Sequence, residues 1–242
     1  MRILVIIPAY NEEESILKVV QELGEAYPLY DYVVVNDCST DRTMELLEKN
    51  SINRINLICN LGVGGAVQTG YLYALGNDYD IAVQLDGDGQ HDPIFLGSIV
   101  EPLINDEADL CIGSRFIEKE GFQTSFMRRV GIKVLSFIIK SCSGVYQSDV
   151  TSGFRACNKM MIKHYATHYA QDYPEPEAIV SAAIYGFRIK EIPVVMRERK
   201  TGVSSISPIK SIYYMTKVSV AIILYRLLQT RKDKGNQDGI KP

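Results

Sequence analysis

The stretch ILVIIPAYNEEESILKVVQEL (3–23) changes its period partway along. Ile3–Ile7 is an unbroken apolar run of strand length, with no polar alternation, so both of its faces call for cover. After the polar step Pro8–Glu14, the apolar residues Ile16, Val19, Val20 and Leu23 recur at intervals of three and four, which is one face of a helix. The same strand-then-helix unit returns three more times. DYVVV (31–35) is followed by Ser39, Thr40 and Asp41, suited to an N-cap, and then by a helix carrying Met44, Leu46 and Leu47. INLIC (55–59) passes through the glycine-rich turn LGVGG into a helix from Ala66 to Gly76, and DIAVQL (80–85) is a fourth strand. Buried strands alternating with helices predict an α/β fold, a mostly parallel sheet flanked by helices.

Beyond His91 the pattern is less regular. It predicts a helix over Ile94–Asn105 and a strand over 109–115. A helix over 126–142 carries Val130, Val134, Leu135, Ile138 and Ile139 on one side; another runs over 174–186, and a proline-bearing strand follows at 188–196. One or two amphipathic helices are expected between Ser207 and Thr230, and a flexible polar tail over 231–242. No repeat or linker divides residues 1–206, which read as one catalytic domain. The chain of 242 residues has ordinary globular composition, 46% hydrophobic and 23% charged, which excludes a disordered or fibrous protein. Five cysteines with no CxxC pair read as free thiols of a reduced compartment rather than a disulfide framework. No run of 18 apolar residues predicts a membrane span, and the first ten residues lack the shape of a signal peptide. Net charge is −3 but uneven: residues 1–114 hold 5 Lys+Arg and 19 Asp+Glu, whereas residues 115–242 hold 21 and 10. The acidic half suits a metal ion, and the basic half an anionic substrate or membrane surface. Nothing resembles the basic–aromatic alternation of a nucleic-acid binder.

Ligands of parallel α/β sheets bind beyond the carboxyl ends of the strands. All four leading strands end there in polar groups: Pro8-Ala9-Tyr10-Asn11-Glu12, Asn36-Asp37, Asn60, and Asp86-Gly87-Asp88. Such carboxylates accept from base and ribose donors, Tyr10 can cover a base, and backbone near Gly62, Gly64 and Gly65 can come close to a ligand. Chance alone supplies about one D-x-D in a chain with this much aspartate, and Asp78-Tyr79-Asp80 is an internal control. That control precedes a strand; Asp86-Gly87-Asp88 follows one, on the ligand side. Two carboxylates around a glycine hold a hard cation such as Mg2+ or Mn2+ and leave positions open for phosphate oxygens, with Gln90 as a further oxygen donor. His91 is a poorer ligand for such an ion. Gly62-Val63-Gly64-Gly65 does not fit the dinucleotide spacing, and no Walker A lysine is present.

Together PAYNEE (8–13), VVVNDCSTDRT (33–43), NLGVGGAVQTG (60–70), QLDGDGQHDP (84–93), GSRF (113–116), DVTSGFRACNK (149–159) and RERKTGVSS (197–205) resemble family 2 glycosyltransferases of the GT-A fold. The likeness is greatest to their dolichyl/polyprenyl-phosphate sugar synthase branch. The resemblance implies that Pro8, Ala9, Tyr10, Glu12 and Asp37 contact the nucleoside; Gly64 is added as a donor contact from its bare backbone. It implies that Asp86, Asp88 and Gln90 hold metal and diphosphate, and that Arg115, Ser152, Arg155 and Arg199 grip phosphates. It further implies inverting transfer from a UDP- or GDP-sugar to a polyprenyl phosphate. The alternative acceptor is a hydroxyl of a surface polysaccharide or glycolipid, which needs a carboxylate base; Glu175-Pro176-Glu177 heads a predicted helix, and Glu177 is the candidate. Ser205 stands where the branch often has lysine. The 207–230 segment suits either a membrane interface at the cytoplasmic face or a core or dimer-contact helix. His164 and His168 read as surface histidines, and Tyr165, Tyr169 and Tyr173 as a packing stripe.

Overall fold

A computed structural model describes residues 1–123, 126–198 and 215–228. Seven strands form one sheet: β1 (Ile3–Ala9), β2 (Asp31–Asn36), β3 (Arg54–Asn56), β4 (Ile81–Gln84), β5 (Leu110–Ser114), β6 (Arg155–Asn158) and β7 (Ile189–Pro193). Their order is β3-β2-β1-β4-β6-β5-β7, and only β6 runs against its neighbours. The helices are α1 (Ile16–Ala26), α2 (Thr43–Lys49), α3 (Gly62–Gly76), α4 (Leu96–Ile104), α5 (Phe126–Ser143), α6 (Lys159–Thr167), α7 (Pro174–Ile184) and α8 (215–228). A short 3-10 turn, Pro93–Phe95, leads into α4.

All seven residues of β1 are buried, as its unbroken apolar run requires. The two-residue period of the strand splits them between two cores. Leu4 and Ile6 face one containing Tyr71, Ile132, Tyr165 and Ile179; Ile3, Val5 and Ile7 face the other, with Ile16, Leu23, Leu96 and Ile99. Each such fully buried aliphatic side chain stabilises the fold by about 1.5–3 kcal/mol. α8 joins the first core through Val218 and Ile222, and its Met215 packs against Gly131 of α5. The tyrosine stripe is realised as packing: Tyr165 and Tyr169 are buried against Tyr71 at ring separations of 5.2 and 5.4 Å.

Several boundaries differ from expectation. β3 is a three-residue edge strand rather than five, and Ile58 beyond it is 99% exposed. α3 begins four residues early, at Gly62. The N-cap of α2 is Arg42, which makes no side-chain cap bond, rather than one of Ser39, Thr40 and Asp41; Asp41, one residue before it, accepts from Thr43 N–H at 2.9 Å. β6 has no counterpart in the sequence reading. Asn158 ends it and caps α6, accepting from Met161 N–H. His164 is half-buried rather than on the surface: it stacks on His168, hydrogen-bonds Ser181 at 2.8 Å, and burial pushes its pKa down to about 4. Among the cysteines, Cys111 and Cys157 are buried and Cys59 is exposed. The tail 231–242 and most of the segment leading into α8 lie outside the described residues.

Candidate active site

The carboxyl ends of β1, β2 and β4 meet the start of α3 around an open cleft of about 400 Å³. Pro8, Ala9, Tyr10, Glu12, Asp37, Asn60, Gly62, Asp86, Gly87, Asp88 and Glu175 line it. Sequence-adjacent signals from four strands are thus brought to one place, as the parallel register dictates. Tyr10 is 47% exposed over the mouth. Asp37 is buried, its carboxylate accepting from Leu61 N–H at 2.7 Å while its carbonyl accepts from the Asn60 amide. It therefore fixes the β3–α3 turn as well as facing the cleft. Glu12 accepts from the Ser15 hydroxyl at 2.8 Å.

Asp86 and Asp88 share the wall opposite the β2 end. Asp88 accepts from Gln90 N–H at 3.0 Å, which keeps Gln90 next to it. Asp86 sits in a fitted cradle. Its N–H donates to His91 Nδ1 at 3.2 Å, and His91 Nε2 lies 3.7 Å from its carboxylate. His91 is buried and stacked on Phe154, so it backs Asp86 rather than opening toward the cleft. Among the described residues no group of three or more His, Cys, Asp or Glu is placed to hold a metal ion by itself. An acid pair fits an oxygen-loving divalent ion whose remaining positions are filled by non-protein oxygens, such as those of a diphosphate and water.

Three of the four expected phosphate grips are held by partners within the chain. Arg115 is buried and makes a two-pronged pair with Asp149, at 2.7 and 2.8 Å, plus a bond to Thr151. Arg155 is 1% exposed and spends its guanidinium on the carbonyls of Ser152, Glu175 and Val150. Ser152 is buried, its hydroxyl accepting from Phe154 N–H. These three residues brace the 149–155 segment, and Arg155 ties it to the head of α7, because buried cations need partners. Arg199 lies outside the described residues. At Gly64 a Cβ would meet the Ala170 and Gln171 carbonyls at 2.5 Å, so its bareness admits the 170–171 backbone. Gly62, with φ +76° and nothing within 4 Å of where a Cβ would stand, lines the cleft. Of the acids heading α7, Glu175 lines the cleft, and burial raises the pKa of both Glu175 and Glu177.

A second groove, of about 370 Å³, lies on the β5–β6 side, with Lys119, Arg129 and Lys133 among Phe116, Phe126, Val130 and Tyr146. Ser148, at its edge, begins the segment that ends against Asp86: a Cβ on Gly153 would meet both Asp86 carboxylate oxygens at 2.8 Å.

Parallel strands that gather acids and a glycine turn around one cleft define an α/β domain whose cleft lies at the carboxyl edge of the sheet, where such folds take their ligands. Residues 4–166 match the model for glycosyl transferase family 2, and the chain belongs to that family. It is 32% identical to a UDP-N-acetylglucosamine–dolichyl-phosphate N-acetylglucosaminyltransferase of Methanococcus voltae, over 96% of this chain and 97% of that one. It is 31% identical to an undecaprenyl-phosphate mannosyltransferase of Micrococcus luteus, covering 86% and 88%. Among solved structures, glucosyl-3-phosphoglycerate synthase from Mycobacterium tuberculosis, in complex with Mn2+, UDP and phosphoglyceric acid, superposes with a TM-score of 0.69. It does so at 20% identity, over 93% of this chain and 78% of that one, which establishes the GT-A fold.

Proposed function

We propose that the protein transfers a sugar, with inversion, from a nucleoside-diphosphate sugar to a polyprenyl phosphate at the cytoplasmic membrane face. The observation that carries this reading is the second groove, where three cations sit among apolar side chains at one end of the segment that abuts Asp86. A lipid phosphate needs that combination, charge for its headgroup and apolar surface for its chain. Relatives that match over nearly the whole chain are named for dolichyl-phosphate and undecaprenyl-phosphate acceptors.

On this reading Tyr10, Pro8, Ala9 and Asp37 take the nucleoside, and Asp86 and Asp88 hold Mg2+ or Mn2+ with the donor diphosphate. The cation, when bound, offsets the charge of the departing nucleoside diphosphate. The acceptor phosphate is already ionised at neutral pH, so no base has to withdraw a proton from it. Arg115 and Arg155 act as buried braces for the segment between groove and cleft, and Arg199 remains a candidate phosphate contact. Peripheral membrane association is supported by the faces of α5 and α8. Phe126 and Phe137 are about 70% exposed, with Val130 and Val134 between them and Ile223, Leu224 and Leu227 on α8. Arg129, Lys133 and Lys140 flank that face on α5, suiting an anionic leaflet. No helix among the described residues is long and apolar enough to cross a membrane.

The specific observation for a hydroxyl acceptor is Glu175, a cleft carboxylate whose pKa is raised by burial, as a general base requires. One assay separates the two. Protein, Mn2+ and a labelled UDP- or GDP-sugar are incubated with undecaprenyl phosphate and then extracted with organic solvent. Label in the lipid phase is expected. A donor that binds yet leaves the lipid unlabelled, while labelling a polysaccharide through a reaction that Glu175→Gln slows about 10²–10⁴-fold, overturns the lipid-phosphate reading.

A further inference from the structure

We infer that Gln84 is a positioning residue for Asp86, holding its carboxylate in the orientation that a divalent cation and diphosphate require; this rests on the reading of Asp86 and Asp88 given above. Gln84 is the last residue of β4 and is fully buried, in a strand otherwise made of Ile81, Ala82 and Val83. A buried primary amide without partners costs the fold about 1–3 kcal/mol, so a polar side chain there needs a reason. Its partners lie on opposite sides. The Tyr169 hydroxyl donates to Gln84 Oε1 at 3.4 Å, and Gln84 Nε2 donates to Asp86 Oδ1 at 3.4 Å. Both distances are long for hydrogen bonds, so each restrains rather than clamps.

The surroundings turn that restraint into an orientation. Gly153 closes the far side, since a Cβ there would sit 2.8 Å from both Asp86 oxygens and 3.0 Å from Gln84 Nε2. His91 covers the third side, with Nε2 3.7 Å from Oδ2. The Asp86 carboxylate is thus bounded by an amide, a ring and a bare backbone, and its side chain keeps about a third of its surface open. An amide suits the position because its N–H points at the carboxylate while its oxygen is occupied by Tyr169. Chain direction fixes the assembly: β6 runs antiparallel to β4 with Gln84 opposite Arg155, which brings Gly153 beside Asp86. Outer partners of this kind set ligand geometry, and their loss typically lowers metal affinity about 10–100-fold.

The test is Mn2+ binding, measured by calorimetry and by the Mn2+ paramagnetic-resonance signal, on the full chain with UDP and no acceptor. Gln84→Met keeps the volume and removes both hydrogen-bonding groups. We expect Mn2+ affinity to fall about tenfold, with a changed line shape, while UDP affinity measured without metal stays within about twofold. Tyr169→Phe, which removes only the outer hydroxyl, is expected to weaken Mn2+ about two- to threefold and serves if Gln84→Met does not fold. Mn2+ affinity and line shape equal to wild type in a folded variant overturn the inference and leave the cation site standing. Wild-type protein that binds UDP but no Mn2+ overturns both.

Discussion

Gly64→Ala separates two explanations of the glycine-rich turn. If Gly64 were bare to let the donor approach, a methyl would block nucleotide and leave the fold intact. The structure instead puts the 170–171 backbone there, with two carbonyl oxygens 2.5 Å and the Gln171 Cα 2.7 Å from the added carbon. Ordinary contact begins near 3.4 Å, so about 0.9 Å of backbone movement is demanded. Overpacking of this kind costs about 1–3 kcal/mol, and backbone atoms place it at the upper end. Alanine recovers about 1 kcal/mol of helix propensity within α3. The net is about 2 kcal/mol of destabilisation, and for a chain of this size about 2–4 °C per kcal/mol gives a Tm lower by about 4–8 °C. Thermal melts followed by circular dichroism measure this, and UDP titration at 10 °C, where the variant is folded, is expected to stay within about threefold of wild type. A Tm equal to or above wild type, or UDP affinity reduced more than about tenfold in the folded variant, refutes the reasoning.

Asp149→Ala leaves the buried Arg115 guanidinium without its anion and is expected to cost about 3–5 kcal/mol in urea unfolding, with Arg115→Met added on top restoring a large part of it. His164 has a folded pKa of about 4, below its unfolded value of 6.5, so its contribution to stability is complete above pH 6.5 and is lost as pH falls from there toward 4. Its imidazole proton resonance should not titrate between pH 8 and 5, and His164→Gln should flatten the fall in stability across that window. The double substitution Phe126→Ser/Phe137→Ser should weaken sedimentation with anionic phospholipid vesicles about thirtyfold, some 2 kcal/mol for two half-inserted rings, without changing Tm by more than a few degrees. Unchanged sedimentation together with a dimer that the same substitutions dissociate would show a second copy of the chain on that face.

The parts legible in the sequence are those whose cause is local. β1, β2 and β4 are contiguous apolar runs, and buried parallel strands require nothing else. The polar ends of those strands reach one cleft because the register is parallel, so Tyr10, Asp37, Asp86 and Asp88 follow from strand position alone. β6 was illegible because Arg-Ala-Cys-Asn carries no β-branched residue, and its stability comes from partners on both sides, distant in sequence. Glu175 and Glu177 differ by about 200° around a helix, and only the packing of α7 decides which faces the cleft. Arg115 and Arg155 read as phosphate ligands because a cation near a ligand edge has that use; Asp149 and the carbonyls of the 150–152 turn are invisible as partners until the chain folds. Gln84 did leave a signal, a lone amide in an apolar strand.

The reversed strand β6 has a consequence for how such a protein changes over time. Because β5 and β6 lie side by side and run oppositely, residues 115–154 leave the sheet and return to it at the same rim. That excursion carries α5 and the groove, so it can lengthen, shorten or be rewritten while every strand keeps its neighbours. Under the reading of the groove proposed above, a lineage exchanges the acceptor by editing residues 116–148, while Gly153 against Asp86 and the first four strands are inherited intact.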